Sequence, residues 1–331
     1  MDSVTQIALG ASVGEAILGR KVGHRAALWG GIYGTLPDLD SLIRFDNAVA
    51  TVTYHRSFSH SLIVLSLLTP VFAWLIWKIH PQTQQYRREW MSLVFLVFMT
   101  HVLLDGHTVY GTQLLWPLIN YPVSWSTVFI IDPAYTLPLL TGVFAALLLK
   151  RSTHTGTYLN YAGLAISSLY LVWTWSAKMY VEQQVRQSLL KQGISYDRML
   201  STPSPFNSIL WRFVIMDGKG YYEGFYSVLD KSDDIQLAHH QDEKSLLEGI
   251  ESHWPVQRLQ WFTHGYYAVN RFENDIVMAD LRMGFEPAYA FRYKVAEFGN
   301  PHPVPVKSTF MPGSWRREQL SWVWERVLNP R

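Results

Sequence analysis

The chain has 331 residues, of which 49% are hydrophobic, with a net charge of +2 and no cysteine. A nearly neutral chain lacks the basic surface that nucleic-acid binding requires, and a chain without cysteine forms no disulfides. Charged residues are unevenly distributed, with 18 Asp, Glu, Lys and Arg in residues 1–177 and 36 in residues 178–331. We therefore predict a membrane-embedded domain over 1–177 and a soluble domain over 178–331.

Three apolar segments fall short of the roughly 20 residues that span a hydrocarbon core. They are Val4–Gly19, Ala26–Leu36 and Met91–Leu104. Either their flanks extend them or they are half-spans packed against other helices. Gly10 and Gly14 are four residues apart, as are Gly30 and Gly34, and this spacing predicts that two helix backbones approach closely. The start of the chain lacks a basic region and a cleavage site, so we expect the first helix to be retained.

Three longer apolar runs are predicted to be transmembrane helices. Phe58–Ile79 and Val128–Leu149 have 22 residues each, and Tyr158–Ala177 has 20. These lengths match a bilayer span. The predicted fold class is an α-helical membrane domain of about four to six membrane-embedded helices, followed by a mainly-β (α+β) soluble domain.

Basic residues in short loops predict the orientation of the membrane domain. They fall in three loops, at Arg20, Lys21 and Arg25, at Lys78, Arg87 and Arg88, and at Lys150 and Arg151. Such loops are usually cytoplasmic. Residues 37–57, residues 105–127 and everything after Ala177 then face outward, and the soluble domain lies in the periplasm if the cell has two membranes.

Acidic and imidazole side chains recur where the apolar segments end. Because ionisable groups are costly beside a bilayer, such a cluster indicates a functional site. His101 and Asp105 are four residues apart and share one face of a helix. Asp38 and Asp40 follow Pro37, and an extended chain there directs them to opposite sides. One can then bind a metal ion while the other orients a histidine.

Two further histidines, His55 and His60, flank a serine-rich turn in which Ser57 or Ser59 is expected to cap the following helix. Histidine and aspartate together form a nitrogen and oxygen ligand set that suits zinc, and a paired site also suits manganese or iron. The predicted metal ligands are Asp38, Asp40, His55, His60, His101 and Asp105, with His107 and Asp132 as further candidates. All of them are predicted to lie on one membrane face.

The two further candidates have simpler interpretations. His107 follows the end of a helix, where a histidine often caps the helix or lies at the interface. Asp132 precedes Pro133, so it is a metal ligand, an orienting residue, or the residue that starts a helix with proline at its first position. Asp38 has a structural alternative as well, a loop ion pair with Arg44 or Arg56.

A metal ion with an open coordination position activates water, so hydrolysis is the predicted reaction class. We predict that Arg56 and Asp40 act in catalysis, with Arg56 binding an anionic group of the substrate. A site at the headgroup level favours lipids or lipid-linked molecules. A membrane binding or regulatory protein is the alternative, and it requires a closed site with four protein ligands. Metal transport is disfavoured, because ionisable residues are rare deep within the apolar segments.

The C-terminal half has the pattern of a β domain. Segments 210–215 and 221–228 are separated by Asp217-Gly218-Lys219-Gly220 and predict a β-hairpin. Residues 259–269 and 289–297 are predicted strands, with turns at Asn274-Asp275 and Pro287. Residues 178–200 are predicted to form a helix that leaves the membrane. With no disulfide, burial of aromatic residues is expected to stabilise this domain.

Several motifs resemble those of a known family. They are Met1-Asp2-Ser3-Val4-Thr5-Gln6 with Gly10-Ala11, Gly14-Glu15, Gly19-Arg20-Lys21, Gly34 to Asp40, His55 to Ser61, His101 to Asp105, and Tyr110-Gly111-Thr112-Gln113. Over residues 1–145 the sequence resembles the bacterial membrane-bound metal-dependent hydrolases of the YdjM-like family. Ser57 stands where glycine commonly follows the arginine of the histidine motif.

The resemblance implies an inner-membrane hydrolase in which the aspartate and histidine motifs bind metal. Carried over by motif, that role falls on Asp38, Asp40, His55, His60, His101 and Asp105. The family is also described as having LexA-binding members. The resemblance implies a reaction class and leaves the substrate open.

Overall fold

A computed structural model describes residues 1–232, 235–313 and 317–331. The chain forms two compact units. The first consists of Met1–Leu42 with Arg56–Thr174, and the second of Ile43–His55 with Trp175–Arg331. Residues 43–55 belong to the predicted first domain, whereas in the structure they pack with the second unit.

The α-helices are numbered in chain order. They are α1 (Ser3–Gly14), α2 (Arg20–Val22), α3 (Arg25–Thr35), α4 (Ala48–Tyr54), α5 (Leu62–Ile79), α6 (Arg87–Gly106), α7 (Pro133–Leu148), α8 (Thr155–Lys191), α9 (Trp254–Phe262) and α10 (Arg317–Leu328). A π-helical turn, Glu15–Gly19, joins α1 to α2. The β-strands are β1 (Arg198–Pro203), β2 (Leu210–Met216), β3 (Gly220–Ser227), β4 (Leu237–Gln241), β5 (Tyr267–Phe272), β6 (Asp275–Asp280), β7 (Gly284–Phe285), β8 (Ala288–Tyr289), β9 (Arg292–Glu297) and β10 (Val304–Phe310).

Two helical segments of the described chain are long and apolar enough to cross a membrane. They are Leu62–Ile79, with 18 residues, and Pro81–Gly106, with 26 residues including the turns before α6. Helix α7 is apolar but shorter. The helical N-terminal region is therefore confirmed with two candidate spans, and the predicted total of four to six stays a prediction.

Glycines bring α1 and α3 into backbone contact. A Cβ atom added to Gly10 would lie 2.2 Å from the Gly30 carbonyl oxygen, and one added to Gly30 would lie 2.1 Å from the Gly10 carbonyl oxygen. Real Cβ atoms cannot approach so closely, so only glycine permits this packing. The predicted close approach of the two helices is confirmed.

The predicted third membrane helix begins later than expected. Helix α5 starts at Leu62 and not at Phe58, and its N-cap is Ser61, whose side chain accepts from the Ile63 and Val64 amides. Ser57 and Ser59 therefore do not cap it. Residues 58–60 form a separate turn of 3₁₀ helix, which places His60 just before the helix.

The second unit contains antiparallel sheets. Within the described ranges, one sheet has the order β1-β2-β3-β4, another the order β10-β9-β6-β5, and β7 pairs with β8. The predicted hairpin is confirmed, with Met216 paired to Tyr221 across the turn. A mainly-β C-terminal region is therefore confirmed.

Three predicted elements of the second unit differ in the structure, and one of them, the strand predicted over 289–297, is divided between β8 and β9. Residues 259–262 end helix α9, and the strand begins only at Tyr267. The apolar residues Val256, Leu259 and Phe262 are buried at a helical spacing, which a strand assignment overlooked. The helix predicted over 178–200 ends at Lys191, because residues 198–203 pair with β2.

The end of α8 supplies a helical layer to the second unit. Ala177, Val181, Val185 and Leu189 recur every four residues and form a core with the sheet. The sheet side of that core includes Trp211, Phe213, Ile215 and Tyr226. The prediction that buried aromatic residues stabilise this domain agrees with this packing.

Candidate metal centre

Four of the predicted ligands converge where α3 ends, α5 begins and α6 ends. One ligand atom each from Asp38, His60, His101 and Asp105 lies within 4.8 Å of every other. Leu36, the C-cap of α3, still has helical backbone angles, and from Pro37 the chain continues as a 3₁₀ segment that carries Asp38, where an extended chain was predicted. His101 and Asp105 lie one turn apart in α6 and face the same way.

The spacing of the donor atoms matches a tetrahedral ion. His60 Nε2 lies 3.3 Å from Asp38 Oδ1 and 3.2 Å from Asp105 Oδ2. His101 Nε2 lies 3.7 Å and 3.5 Å from the same two oxygens, and 3.4 Å from His60 Nε2. Ligands about 2.0 to 2.2 Å from a tetrahedral zinc ion stand about 3.3 to 3.6 Å apart. These residues therefore fit a zinc-sized ion.

Both histidines are oriented with Nε2 toward this centre. His101 Nδ1 lies 2.7 Å from the Gly34 carbonyl oxygen, which can only accept, so Nδ1 carries the proton and Nε2 keeps its lone pair. His60 Nδ1 lies 3.0 Å from Ser59 Oγ and 3.4 Å from Asp40 Oδ2. Such partners on the far ring nitrogen fix the tautomer of a metal-binding histidine.

The two carboxylate oxygens of Asp105 have different surroundings. Its Oδ1 accepts from Gln6 Nε2 at 3.1 Å, lies 3.4 Å from Arg56 Nη2, and contacts the α-amino group of Met1. Among the described residues, Asp105 Oδ2 and Asp38 Oδ2 are buried with no hydrogen-bond partner. Buried carboxylate oxygens normally have partners, so a cation bound by these two carboxylates would compensate for the missing hydrogen bonds.

The electrostatics of the cluster also favour a cation. Burial lowers the pKa of His60, but the carboxylates of Asp105, Asp38 and Asp40 outweigh it and raise that pKa to about 10. For Asp38, burial raises the pKa, and the histidines His60 and His101 outweigh it and lower that pKa. The carboxylates therefore stabilise positive charge at the position where the ligand atoms meet.

Asp40 lies on the far side of His60. Its Oδ2 accepts from the Arg56 amide at 2.9 Å and from Ser59 Oγ, and it is absent from the group of four ligands. Asp38 and Asp40 therefore reach the two opposite nitrogens of His60, because the 3₁₀ segment that carries them turns between the two side chains.

The other candidates also lie outside this group in the described chain. His55 ends α4 as its C-cap, and His107 is the C-cap of α6, with Nδ1 2.7 Å from Thr127 Oγ1. Asp132 is the N-cap of α7, where its side chain accepts from the Ala134 amide at 3.0 Å. Of its three interpretations, the helix-start residue before proline is the one the geometry matches.

Arg56 joins the surrounding loops. It is 3% exposed, and its Nη1 donates to Thr108 Oγ1 at 3.0 Å while the guanidinium lies 4.9 Å from the Tyr110 ring centre. Its carbonyl oxygen accepts from the Gln113 amide at 3.0 Å. Its backbone has a positive φ of 62°, a conformation that costs energy in a residue with a side chain.

Gln6 is a residue of this site that was not among the predicted ligands. It is 1% exposed and donates to both Asp105 Oδ1 and the His101 carbonyl oxygen. The sequence does contain a pattern that points to Gln6. It precedes Gly10 and Gly14 at intervals of four residues, so all three share the face of α1 that packs on α3.

Comparison with known proteins adds the family. A family model described as YdjM inner membrane protein matches residues 1–181, which contain all four ligands. The chain belongs to the YdjM family. It is also similar to the uncharacterized protein YfhP of Bacillus subtilis, with 22% identity over 97% of both chains. No solved structure matches the chain. Family membership supports location in a membrane, together with the two apolar spans.

Proposed function

We propose that this protein is a membrane-bound metal-dependent hydrolase. The observation that carries the proposal is the set of four nitrogen and oxygen donors within 4.8 Å of one another, two of them from carboxylates with a buried oxygen that lacks a hydrogen bond within the described chain. When bound, a zinc ion polarises an ester or phosphoryl oxygen and makes water nucleophilic near neutral pH. Manganese or iron is the alternative for the same nitrogen and oxygen ligands.

The residues of the site divide into two roles. His60, His101, Asp38 and Asp105 hold the ion. The Gly34 carbonyl oxygen and Asp40 orient the two imidazoles, as expected for partners on the second ring nitrogen.

Arg56 has a further role in the proposal. Its Nη2 faces Asp105, while its Nε is buried with no hydrogen-bond partner among the described residues. A buried donor of this kind suits an anionic group of the substrate. Arg56 would then stabilise Asp105 and bind substrate with different nitrogens.

The proposed substrate is a lipid or lipid-linked molecule with a phosphoester or acyl bond. Its supporting observation is the position of the site near helix ends: His60 lies just before α5, and His101 and Asp105 lie in the last two turns of α6. Both helices belong to the two segments that are long and apolar enough to span a bilayer. By the distribution of basic loop residues, this end and the second unit would be extracytoplasmic. The reaction would then occur at the outer face of the inner membrane.

A binding or regulatory protein with a structural metal is the second candidate. It is favoured by the number of protein donors, because four protein ligands complete a structural zinc site whereas catalytic sites usually keep a position open. The two candidates differ in whether the bound metal carries exchangeable water.

Metal content of the detergent-purified full-length protein tests the proposal. We expect about one equivalent of zinc in the wild type, and its loss in His101→Ala and in Asp38→Ala. Asp132→Asn is the matched control, because Asp132 is a buried carboxylate that caps a helix outside the group. Metal retained in both ligand variants would refute the site.

Activity is then measured with lipid phosphoesters and acyl esters. Hydrolysis that disappears with the metal supports the hydrolase. Metal bound without exchangeable water, and without hydrolysis of either ester class, would favour the regulatory protein.

A further inference from the structure

Gln6 lies on α1 beside the metal centre, and only one end of its side-chain amide has hydrogen-bond partners. Its Nε2 donates to Asp105 Oδ1 at 3.1 Å and to the His101 carbonyl oxygen at 3.3 Å. Its Oε1 is buried and has no hydrogen-bond partner in the described chain. An unsatisfied buried acceptor destabilises the fold, so a donor is expected at this position.

The amide orientation is fixed by its partners. Both groups facing Nε2 are acceptors, so rotating the amide by half a turn would place Oε1 against a carboxylate and a carbonyl. The backbone of Gln6 is equally constrained, because a Cβ on Gly34 would lie 2.5 Å from its carbonyl oxygen. Oε1 therefore points away from Asp105 Oδ1 and the His101 carbonyl.

The missing donor is not a protein group of the described ranges. The other buried acceptors without partners at this centre are Asp38 Oδ2 and Asp105 Oδ2, and both belong to the metal ligands. Three residues at or beside this centre therefore each have a buried acceptor without a partner, and a cation together with a small molecule that donates hydrogen bonds would satisfy them. Water meets that requirement, since a buried water usually makes two to four hydrogen bonds to polar partners.

We propose that Gln6 is a positioning residue whose Oε1 accepts a hydrogen bond from a water molecule at the metal centre. Its Nε2 meanwhile holds Asp105 Oδ1, so that Asp105 presents Oδ2 to the ion. This inference rests on the proposed function, in which that water is the nucleophile. An amide suits both tasks because it is neutral, donates on one side and accepts on the other.

Pulsed EPR of the full-length protein loaded with Mn²⁺ and transferred to D₂O tests the inference, because deuterium coupling detects exchangeable water near the ion. Gln6→Met removes the amide oxygen and nitrogen while keeping a side chain of similar length. Gln6→Glu keeps an acceptor oxygen. Ser12→Ala is the control, since Ser12 lies on the same helix, is fully buried and bonds the Leu139 carbonyl at 3.3 Å.

We expect strong deuterium coupling in the wild type, Ser12→Ala and Gln6→Glu, and weakened coupling in Gln6→Met. Mn²⁺ affinity of Gln6→Met should fall by about 10-fold, as for loss of a partner of a metal ligand. Wild-type coupling in Gln6→Met would overturn the role of Gln6 and leave the hydrolase proposal standing. If the wild type binds Mn²⁺ without exchangeable water, the inference is overturned and a structural metal is favoured. If the wild type binds no metal at all, the proposed function itself is refuted.

Discussion

Two buried clusters of charged side chains in this protein differ in whether their hydrogen bonds are complete. In the second unit, Arg212 on β2 is 3% exposed and pairs with Glu223 on β3. Its Nη1 donates to the Leu281 carbonyl oxygen at 2.8 Å, and its Nη2 lies 3.4 Å from the Tyr289 hydroxyl. None of these side chains has an unpartnered buried atom in the described chain.

The cluster at the end of α6 has carboxylates and imidazoles in equal number, yet oxygens of Asp38, Asp105 and Gln6 are left without hydrogen bonds within the described residues. A complete network stabilises one arrangement of the fold, whereas an incomplete network needs an ion or ligand to complete it. Both clusters contain buried charged side chains, so it is the completeness of hydrogen bonding that distinguishes the network around Arg212 from the candidate site.

The largest expected effect concerns the complete network. Arg212→Met leaves Glu223 buried without its partner and should destabilise the second unit by about 3 to 5 kcal/mol. Denaturant unfolding of the full-length protein, followed by tryptophan fluorescence, measures it. Lys294→Gln, which removes the shared partner of the half-exposed carboxylates Asp275 and Glu297, should destabilise the protein far less, because both carboxylates stay in contact with solvent.

Adding Glu223→Leu to Arg212→Met should recover part of the lost stability, because the uncompensated carboxylate disappears. An Arg212→Met variant that is no less stable than Lys294→Gln would show that the complete network does not stabilise the second unit.

At the metal centre, neutralising Asp40 should weaken metal binding without abolishing it. Asp40→Asn keeps an oxygen for the Arg56 amide and Ser59 but loses the charge beside His60 Nδ1. We expect metal affinity to fall about 10- to 100-fold. Chelator competition measures it, with Asp38→Asn expected to lose more. A larger loss in Asp40→Asn than in Asp38→Asn would make Asp40 the ligand.

Helix packing and the metal centre are coupled through Gly34. Gly34→Ala places a Cβ 2.5 Å from the Gln6 carbonyl oxygen and shifts the carbonyl that orients His101. Overpacking of this kind costs about 1 to 3 kcal/mol, and we expect both thermal stability and metal affinity to fall. In Gly31→Ala, where the added Cβ meets its nearest atom at 3.4 Å, neither should change appreciably. Equal effects in the two variants would contradict the coupling.

The smallest effect is a pH dependence in the hairpin turn. Burial raises the pKa of Asp217, but the Lys219 amide, His239 and the Gly220 amide outweigh it and lower that pKa. A carboxyl with a lowered folded pKa stabilises the fold above its unfolded pKa near 3.8, and this stabilisation is lost as the pH falls below that value.

Asp217→Asn should therefore differ from the wild type at pH 7 by less than about 1 kcal/mol, because the turn is solvent-screened. Unfolding free energies at pH 7 and pH 3 measure the difference, which should shrink at the lower pH. A difference that is the same at both values would exclude a contribution from the carboxylate charge.

Much of the local structure follows from sequence patterns. Glycines four residues apart predicted the contact of α1 with α3, and Asp217-Gly218 predicted the hairpin of β2 and β3. Boundaries were less predictable: apolar residues run from Phe58 onward, but the helix begins only after Ser61. A cap depends on which side chain reaches the free amides, and three serines in five residues offered that interaction.

Of the candidate site, the sequence by itself determined the residue types and one local pair. His101 and Asp105 converge because a helix places residues four apart on one face. The tertiary structure decided that Asp38 and not Asp40 joins this pair, and that His60 and not His55 does. It also decided that Gln6 contacts Asp105. The reason is physical: helical periodicity fixes distances within one turn, whereas distances between residues 6, 38, 60 and 101 depend on how closely four separate segments pack.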